Sequence, residues 1–273
     1  MTTPTVERRP MRIVRSAIVW ELADAWTIAK RNLRAIPRNP DLLLDVTLQP
    51  IVLVLLFGGV FGGALEASVG GRYVSYLMAG IFVQTAMFGA MSTAAGLAED
   101  LRNGLMDRFR SLPMGRSSVM MGRAFSDLIR SVIAIAVMVV VGLAMGFEPA
   151  GSPIGWALGL VLLLAFTFAA SWIGVVVALL LWRNPVAVQS VLFVVVFPLT
   201  FVSSAFVPVS TLPQWLQPFA ANQPVSQMVD VLRALILGQP TGDGPIRLVA
   251  WTLAMTTIGV PVALRLHGRL SAQ

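Results

Sequence analysis

Long stretches without a single charged residue dominate this sequence and constrain its fold more than any other feature. A helix crosses the hydrocarbon core of a bilayer with about 20 apolar residues. Charged residues make up only 12% of the chain, about half the share that is usual in soluble domains. The chain is therefore predicted to be an all-α polytopic membrane protein. The uncharged stretches are Thr47–Leu65, Tyr73–Ala98, Ser131–Phe147, Pro149–Trp182, Asn184–Val229 and Leu248–Leu264.

These stretches predict six transmembrane helices within a domain that covers residues 39–266. The stretch that follows the fifth span carries prolines at positions 208, 213, 218 and 224, and proline cannot continue a helical hydrogen-bond ladder. Broken helices are tolerated at membrane depth when protein covers their backbone. Residues 205–238 are therefore expected to form re-entrant or interfacial short helices on the outer face, between spans five and six. The six spans are about 42–65, 73–98, 127–147, 154–182, 186–202 and 246–264.

The N-terminal region divides into a tail and an amphipathic helix. Residues 1–15 are basic and predicted to be disordered. Residues 16–38 repeat apolar side chains every three or four positions, among them Leu22, Trp26 and Leu33, with charged residues between them. Such a helix lies in the membrane interface, either as a plain juxtamembrane anchor or as a docking element for a partner. Pro37 ends it.

The basic residues predict the orientation of the spans. Seventeen of the twenty lie before the first span, between spans two and three, at Arg183 or in the tail at residues 265–273, and only Arg72, Arg233 and Arg247 lie on the opposite side. The positive-inside rule then places both termini, the 267–273 tail and the loop at 99–123 in the cytoplasm, with the chain in the cell membrane. Arginine outnumbers lysine nineteen to one, a ratio typical of a GC-rich bacterium.

The composition excludes several kinds of chemistry. Without cysteine the chain has no disulfide and no thiolate metal site, and its single histidine, His267, lies in the tail. A phosphate-binding loop of the Walker type needs Gly-Lys-Ser/Thr, whereas the only lysine, Lys30, follows no glycine. We therefore expect no enzyme activity, metal or cofactor in this chain. No soluble module is present to bind nucleic acid.

Charge is concentrated in one stretch between spans two and three, EDLRNGLMDRFRSLPMGR at residues 99–116. Leu101, Leu105, Phe109 and Leu112 are spaced to form one apolar side of a short helix, which Pro113 ends. A helix this short is marginal in water, so its apolar side needs a surface to contact. That surface is either the lipid headgroups or a cytoplasmic partner.

This stretch and its continuation, SSVMMGRAFSDLIRS, resemble the loop between spans two and three of type-2 ABC exporter permeases, especially the daunorubicin-resistance branch. The later stretch FPLTFVSSAFVPVSTLPQWLQPFAANQPVSQMVDVLRALILG resembles the fifth span and re-entrant helices of the same family. The resemblance covers about residues 30–265. It implies a permease subunit that exports amphiphilic drugs, antibiotics or lipids.

The resemblance further implies that residues 100–112 form a coupling helix, which sits in a groove of a separate ATP-binding subunit. Two such subunits would bind the ATP and Mg²⁺, and the permease would pair with a second copy of itself or with a paralogue. The residues expected to couple to the ATPase are Glu99, Arg102, Leu105, Arg108, Phe109, Arg110, Leu112 and Pro113. In the family, the conduit forms largely from spans two and five. The matching residues here are Met87, Phe88, Met91, Ser92, Phe193, Phe197, Thr200, Phe201 and Ser203.

Two other transport functions are weighed against this expectation. A secondary transporter normally carries ionisable residues at mid-membrane, whereas Asp45, Asp127 and Arg130 lie near the ends of the predicted spans. An ABC importer permease has a related cytoplasmic loop, but the Leu112-Pro113 pair arrives too early for that motif and EDL replaces its alanines. A structural subunit without a transport role is a third alternative.

The absence of native cysteine makes the predicted topology directly testable. We expect a membrane-impermeant thiol reagent to label Ala150→Cys and Trp215→Cys in whole cells, and to leave Arg8→Cys and Ser118→Cys unlabelled until the membrane is opened. Labelling after permeabilisation serves as the control for each variant. Labelling of Ser118→Cys but not Ala150→Cys in intact cells would invert the predicted orientation.

Overall fold

The computed structural model describes residues 48–103 and 118–270, and the regular structure in these ranges is helical. The tail at 1–15, the helix predicted at 16–38 and residues 104–117, which include most of the predicted coupling helix, lie outside the described residues. The helices are α1 (Leu48–Val60), α2 (Gly62–Val69), α3 (Tyr73–Arg102), α4 (Ser118–Ala144), α5 (Pro153–Leu180), α6 (Pro185–Phe201), α7 (Gln217–Asn222), α8 (Pro224–Leu237) and α9 (Gly244–Leu270).

Helix α3 forms the centre of the described structure. It packs against α1, α2, α4, α5, α6 and α8, while α5 joins it to α9. Leu77, Met78 and Phe82 of α3 are almost completely buried. A helix that is apolar on all sides is stable only when protein or lipid surrounds it, and neighbouring helices cover α3 on most of its surface. The arrangement makes α3 the common wall of every site described below.

The length and apolar composition of the helices indicate a membrane protein with three or four candidate membrane spans. Helices α3, α5 and α9 are each long and apolar enough to cross a bilayer, and α1 with α2 gives a fourth candidate if the bent pair is one span. The apolar part of α4 (Ser131–Ala144) and α6 are shorter. The predicted all-helical class is confirmed. For the membrane spans, the described residues establish three or four candidates, which is a coarser result than the six spans predicted.

The first predicted span, about residues 42–65, is not one continuous helix in the described residues. The chain bends by 78° between α1 and α2, and Glu66, expected in a loop, lies within α2. The bend follows a π-helical stretch at Val54–Val60, inside the sequence FGGVFGG. Kinks arise at π-helical turns and at glycines, where the backbone has no side chain to resist bending. The glycine pairs therefore mark a change of direction.

The proline-rich segment after α6 folds into short helices within the predicted range. A single 3₁₀ turn at Val209–Thr211 precedes α7 and α8. Pro224 occupies the first turn of α8, where a helix has no use for the missing N–H group. Gly238 ends α8 in the left-handed conformation, with φ of 69°, which glycine adopts without steric cost. The prolines thus begin short helices here and prevent one long one.

Gly80 allows the closest approach between α3 and the segment after α6. A Cβ atom at this position would overlap the carbonyl oxygen and Cα of Ala205. Because the obstacle is backbone, a small rotamer change could not relieve it. Gly80 is therefore required by packing.

We expect Gly80→Ala to lower the free energy of unfolding by about 1–3 kcal/mol, as overpacking of a tight core does. Thermal unfolding of the purified chain in detergent measures the loss. Gly63→Ala is the matched control, because nothing lies within 4 Å of a Cβ built at Gly63. Equal stability of the two variants would contradict the packing role of Gly80.

Candidate functional site

A row of phenylalanine rings follows one side of α6. Phe193, Phe197 and Phe201 are four residues apart, so their side chains lie one above another along the helix. The ring centroids of Phe193 and Phe197 are 5.0 Å apart, and those of Phe197 and Phe201 are 4.3 Å apart. Both pairs are stacked. Phe193 and Phe197 are 44% and 37% exposed, so a second molecule can reach their faces.

The row continues onto neighbouring elements at both ends. Phe201 stacks on Phe206 at 4.6 Å, and Phe206 contacts Phe57 of α1 at 4.8 Å. At the other end Phe193 meets Phe88 of α3 edge-on at 6.3 Å. With Phe61, which lies 5.6 Å from Phe57, these seven rings form a continuous series that we call the aromatic ladder.

A cavity of about 210 Å³ lies at the Phe88–Phe193 end of the aromatic ladder. Residues of α1, α3 and α6 line this partly open cavity, and none of its described lining residues is charged. Aromatic and apolar groups alternate on its wall with neutral amides and hydroxyls. Its lining residues are Gln49, Pro50, Leu53, Gln84, Thr85, Phe88, Gly89, Met91, Ser92, Gln189 and Phe193.

Gln84 is the most unusual residue of this cavity. Its side chain is 2% exposed, yet neither its amide nitrogen nor its amide oxygen has a hydrogen-bond partner. A buried polar group without a partner costs about 1–3 kcal/mol. The neighbouring Thr85 differs, because its hydroxyl donates to the Ile81 carbonyl at 2.7 Å. Both polar atoms of the Gln84 side chain are thus buried without a partner in the described part of the chain.

A buried polar network fixes the ladder at Phe206, and it joins α3 and α8 to residues 203–206. The hydroxyl of Tyr73 donates to the Phe206 carbonyl at 2.8 Å, and that of Tyr76 donates to the Ser204 carbonyl at 2.9 Å. The Ser204 hydroxyl donates to Asp230 at 2.6 Å. These bonds hold a non-helical backbone that has no ladder of its own.

Arg233 of α8 is the centre of this network. Its guanidinium donates to the carbonyls of Ser204 at 2.6 Å and Tyr76 at 3.1 Å, and pairs with Asp230 at 3.0 Å. It also lies 3.6 Å from the centroid of the Tyr76 ring, within the range of a cation–π contact. Its side chain is only 9% exposed. The charge is thus satisfied on several sides although it is buried.

The structure brings together some of the residues expected to line the conduit and separates others from them. Phe88, Met91, Ser92 and Phe193 line the cavity, and Phe197 and Phe201 continue from it along the ladder. Met87, Thr200 and Ser203 are buried within the chain. The hydroxyl of Thr200 donates to Val196 and that of Ser203 donates to Thr200, so both are engaged by nearby backbone.

Only the beginning of the predicted coupling segment is described. Glu99 and Arg102 lie in the last turn of α3 and are exposed. Leu105, Arg108, Phe109, Arg110, Leu112 and Pro113 lie outside the described residues. In the described part of the chain, no group of three or more His, Asp or Glu side chains could hold a metal ion.

Two functional features were not assigned from the sequence. The sequence analysis does not single out Gln84 within span two, and it names Arg233 only as one of three arginines on the predicted outer side. The available signal for the network was an arginine three residues after Asp230, in a short helix that follows a proline-broken stretch. No signal in the sequence pairs Arg233 with Tyr76, which lies 157 positions away.

Comparisons with known proteins agree with this architecture. Residues 23–237 match the ABC-2 type transporter family. The chain is 30% identical to the daunorubicin resistance ABC transporter permease protein DrrB1 of Streptomyces coeruleorubidus, over 99% of this chain and 93% of the relative. It is 25% identical to the "Probable doxorubicin resistance ABC transporter permease protein DrrC" of Mycobacterium tuberculosis, over 96% of both chains.

We expect Arg233→Met to lower the free energy of unfolding by about 1.5–3 kcal/mol, because it removes charge-assisted hydrogen bonds to buried acceptors. Arg72→Met is the control. Arg72 pairs with Glu148 at 3.1 Å, but their side chains are 58% and 71% exposed, and such pairs contribute less than about 1 kcal/mol. Thermal unfolding in detergent compares the two variants. A smaller loss for Arg233→Met than for Arg72→Met would contradict the central role of Arg233.

Proposed function

The chain belongs to the ABC-2 type transporter family, and from this we propose that it moves an amphiphilic drug or lipid out of the cytoplasm or the inner leaflet. It is a membrane-spanning permease, as its relatives are. The relatives are named for resistance to daunorubicin and doxorubicin. Resistance of that kind follows when the drug is exported, so a planar amphiphile is the substrate class we propose for this chain.

One observation carries the proposal: an uncharged cavity opens onto the aromatic ladder. The ladder begins at the Phe88–Phe193 pair of the cavity and reaches the other end of α6 at Phe206. Aromatic faces bind flat apolar surfaces by stacking, and a series of them offers successive positions along one direction. A small inorganic ion would find no charged ligand among the described residues of the cavity.

The proposed topology has six spans with both termini in the cytoplasm. The ends of the described helices support it, because the Arg72–Glu148 pair and the Tyr73–Phe206 bond place the start of α3, the end of α4 and the end of α6 at one end of the molecule. Consecutive long helices therefore alternate in direction. The end of the molecule that holds the start of α3 would face the outside of the cell, and residues 205–238 would form the re-entrant segment there.

The energy would come from two copies of a separate ATP-binding subunit, and the permease would work as a dimer of itself or with a paralogue. Glu99 and Arg102 support the proposed coupling role of residues 100–112, because both are exposed where α3 ends. This end is opposite to the polar network around Arg233. Closure of the ATPase would then act on α3, which lines the cavity.

Reconstitution in liposomes tests the proposed function. The chain, purified together with its ATP-binding subunit, should transport doxorubicin only when ATP is hydrolysed. Phe109→Ala should weaken ATPase binding by about 2–4 kcal/mol, because aromatic anchors carry most of the energy of an interface. Pull-down of the ATPase and doxorubicin-stimulated ATP turnover measure the two effects.

Two variants serve as controls for that experiment. Phe109→Leu keeps an apolar side chain and should retain most of the binding, whereas Trp215→Ala removes an aromatic that is 79% exposed at the proposed outer side. Wild-type ATPase binding and stimulation in Phe109→Ala would refute coupling through this helix. Transport driven by a proton gradient without ATP would refute the ABC exporter.

A further inference from the structure

We propose that residues 214–222, which we call the outer anchor, lie in the boundary between lipid headgroups and acyl chains, with Trp215 and Phe219 inserted among the lipids. This contact goes beyond the proposed export function, and it depends on the proposed topology only for the side of the membrane. The polarity of the segment carries the proposal, because its aromatic side chains are exposed and its polar side chains bond to its own backbone.

The outer anchor is exposed on its apolar side. The N–H groups of Leu216 and Ala220 donate to carbonyls three and four residues earlier, so the turn at 214–216 continues into α7. Trp215 and Phe219, four residues apart, therefore lie on the same side of this course. They are 79% and 52% exposed, whereas Ala220 is completely buried. A helix on a water-facing surface shows the opposite arrangement, with its apolar side inward.

The polar side chains of the outer anchor are used within the segment. The Gln217 amide donates to the Leu212 carbonyl at 2.8 Å, and the Asn222 amide donates to the Pro218 carbonyl at 2.8 Å. In water, solvent would supply such partners, whereas lipid has none to offer the backbone. The sequence from 203 to 229 also contains no charged residue. Both properties suit a segment that contacts lipid.

Trp251 of α9 indicates the depth of the outer anchor. Its indole N–H donates to the Asn222 carbonyl at the end of α7, at 3.0 Å. Trp251 lies four residues after Arg247, which is followed by no further charge until Arg265. Four residues correspond to about 6 Å along the helix. Interfacial helices bury their apolar side about 5–10 Å into the boundary between headgroups and acyl chains, so α7 contacts α9 at that depth.

Lipid is the occupant that fits the surroundings of the outer anchor. Leu253 and Ile258, further along α9, are 59% and 67% exposed, as expected for the side of a span that contacts acyl chains. Trp215 and Phe219 continue this surface at its outer end, where aromatic side chains are enriched in membrane proteins. A water-soluble partner would leave the α9 side chains uncovered. Because the segment has no charge, its contact with lipid should not depend on the charge of the headgroup.

Spin labels on single cysteines measure this depth in the full-length chain, which has no native cysteine. Phe219→Cys carries a nitroxide and is reconstituted in phosphatidylcholine liposomes. Its collisions with oxygen, which concentrates in lipid, are compared with those with a nickel chelate, which stays in water. Asp243→Cys, exposed just before α9, is the reference for water, and Ile258→Cys is the reference for lipid. Trp215→Gln and Trp215→Phe are each added to Phe219→Cys.

We expect the oxygen-to-nickel collision ratio at position 219 to be at least about threefold higher than at 243, and lower than at 258, as an interfacial position requires. Trp215→Gln should lower the ratio at 219 about twofold or more, because one of two apolar anchors is lost. Trp215→Phe keeps an aromatic ring and should preserve most of the ratio. Replacing half of the phosphatidylcholine with phosphatidylglycerol should leave it unchanged.

Four results would overturn the inference. A ratio at 219 equal to that at 243 would place the segment in water. Low collision with both reagents would assign the patch to a protein contact, and dipolar broadening between labels would identify a second permease as the partner. An unchanged ratio in Trp215→Gln would refute anchoring by this residue, and a clear dependence on phosphatidylglycerol would refute an uncharged contact.

These measurements use neither ATP nor an ATP-binding subunit. A failure of ATP to drive transport in liposomes would therefore leave the measured depths intact. Conversely, a water-exposed label at position 219 would refute the outer anchor and would leave the exporter to its own test.

Discussion

Buried backbone without a helical ladder needs hydrogen-bond partners from side chains, and the architecture at one end of this protein depends on that requirement. Residues 203–206 break the helical course between α6 and α8. Tyr73 and Tyr76 of α3 donate to carbonyls of this segment, and Arg233 donates from α8. The Ser226 hydroxyl accepts from the N–H of Ser204. Because unpaired backbone groups are costly in an apolar setting, these partners fix where the chain can leave α6.

The same requirement places the aromatic ladder. Phe206 belongs to the segment held by Tyr73, and its ring joins the α6 phenylalanines to Phe57 of α1. Gly80 brings α3 against the neighbouring Ala205 backbone. The polar network and the ladder therefore share one piece of backbone, so a movement of residues 203–206 would alter both. In an exporter, this coupling would link the outer end of the pathway to the packing of α3.

The two ends of the site differ in whether their buried polar groups have hydrogen-bond partners. Around Arg233, several acceptors and an aromatic ring satisfy one buried charge. At Gln84, a buried amide remains unsatisfied beside a cavity.

The sequence by itself determined the class of the protein. Long uncharged runs can fold only where lipid or protein surrounds them, and prolines at 208, 213, 218 and 224 prevent a continuous helix after α6. The four-residue spacing of Phe193, Phe197 and Phe201 likewise guarantees one aromatic side on α6. These properties are local, because they follow from hydrophobicity and backbone geometry within one segment.

Tertiary structure alone decided which residues meet. The contact of Arg233 with Tyr76 and the isolation of Gln84 depend on helices that are distant in the sequence. Hydrophobic periodicity predicts which face of a helix is buried. It does not identify the neighbouring element that covers this face. A hydrogen bond needs its partners within about 3 Å, and no pattern in one segment specifies that distance to another. The network and the unpaired amide therefore became visible only once the helices were packed together.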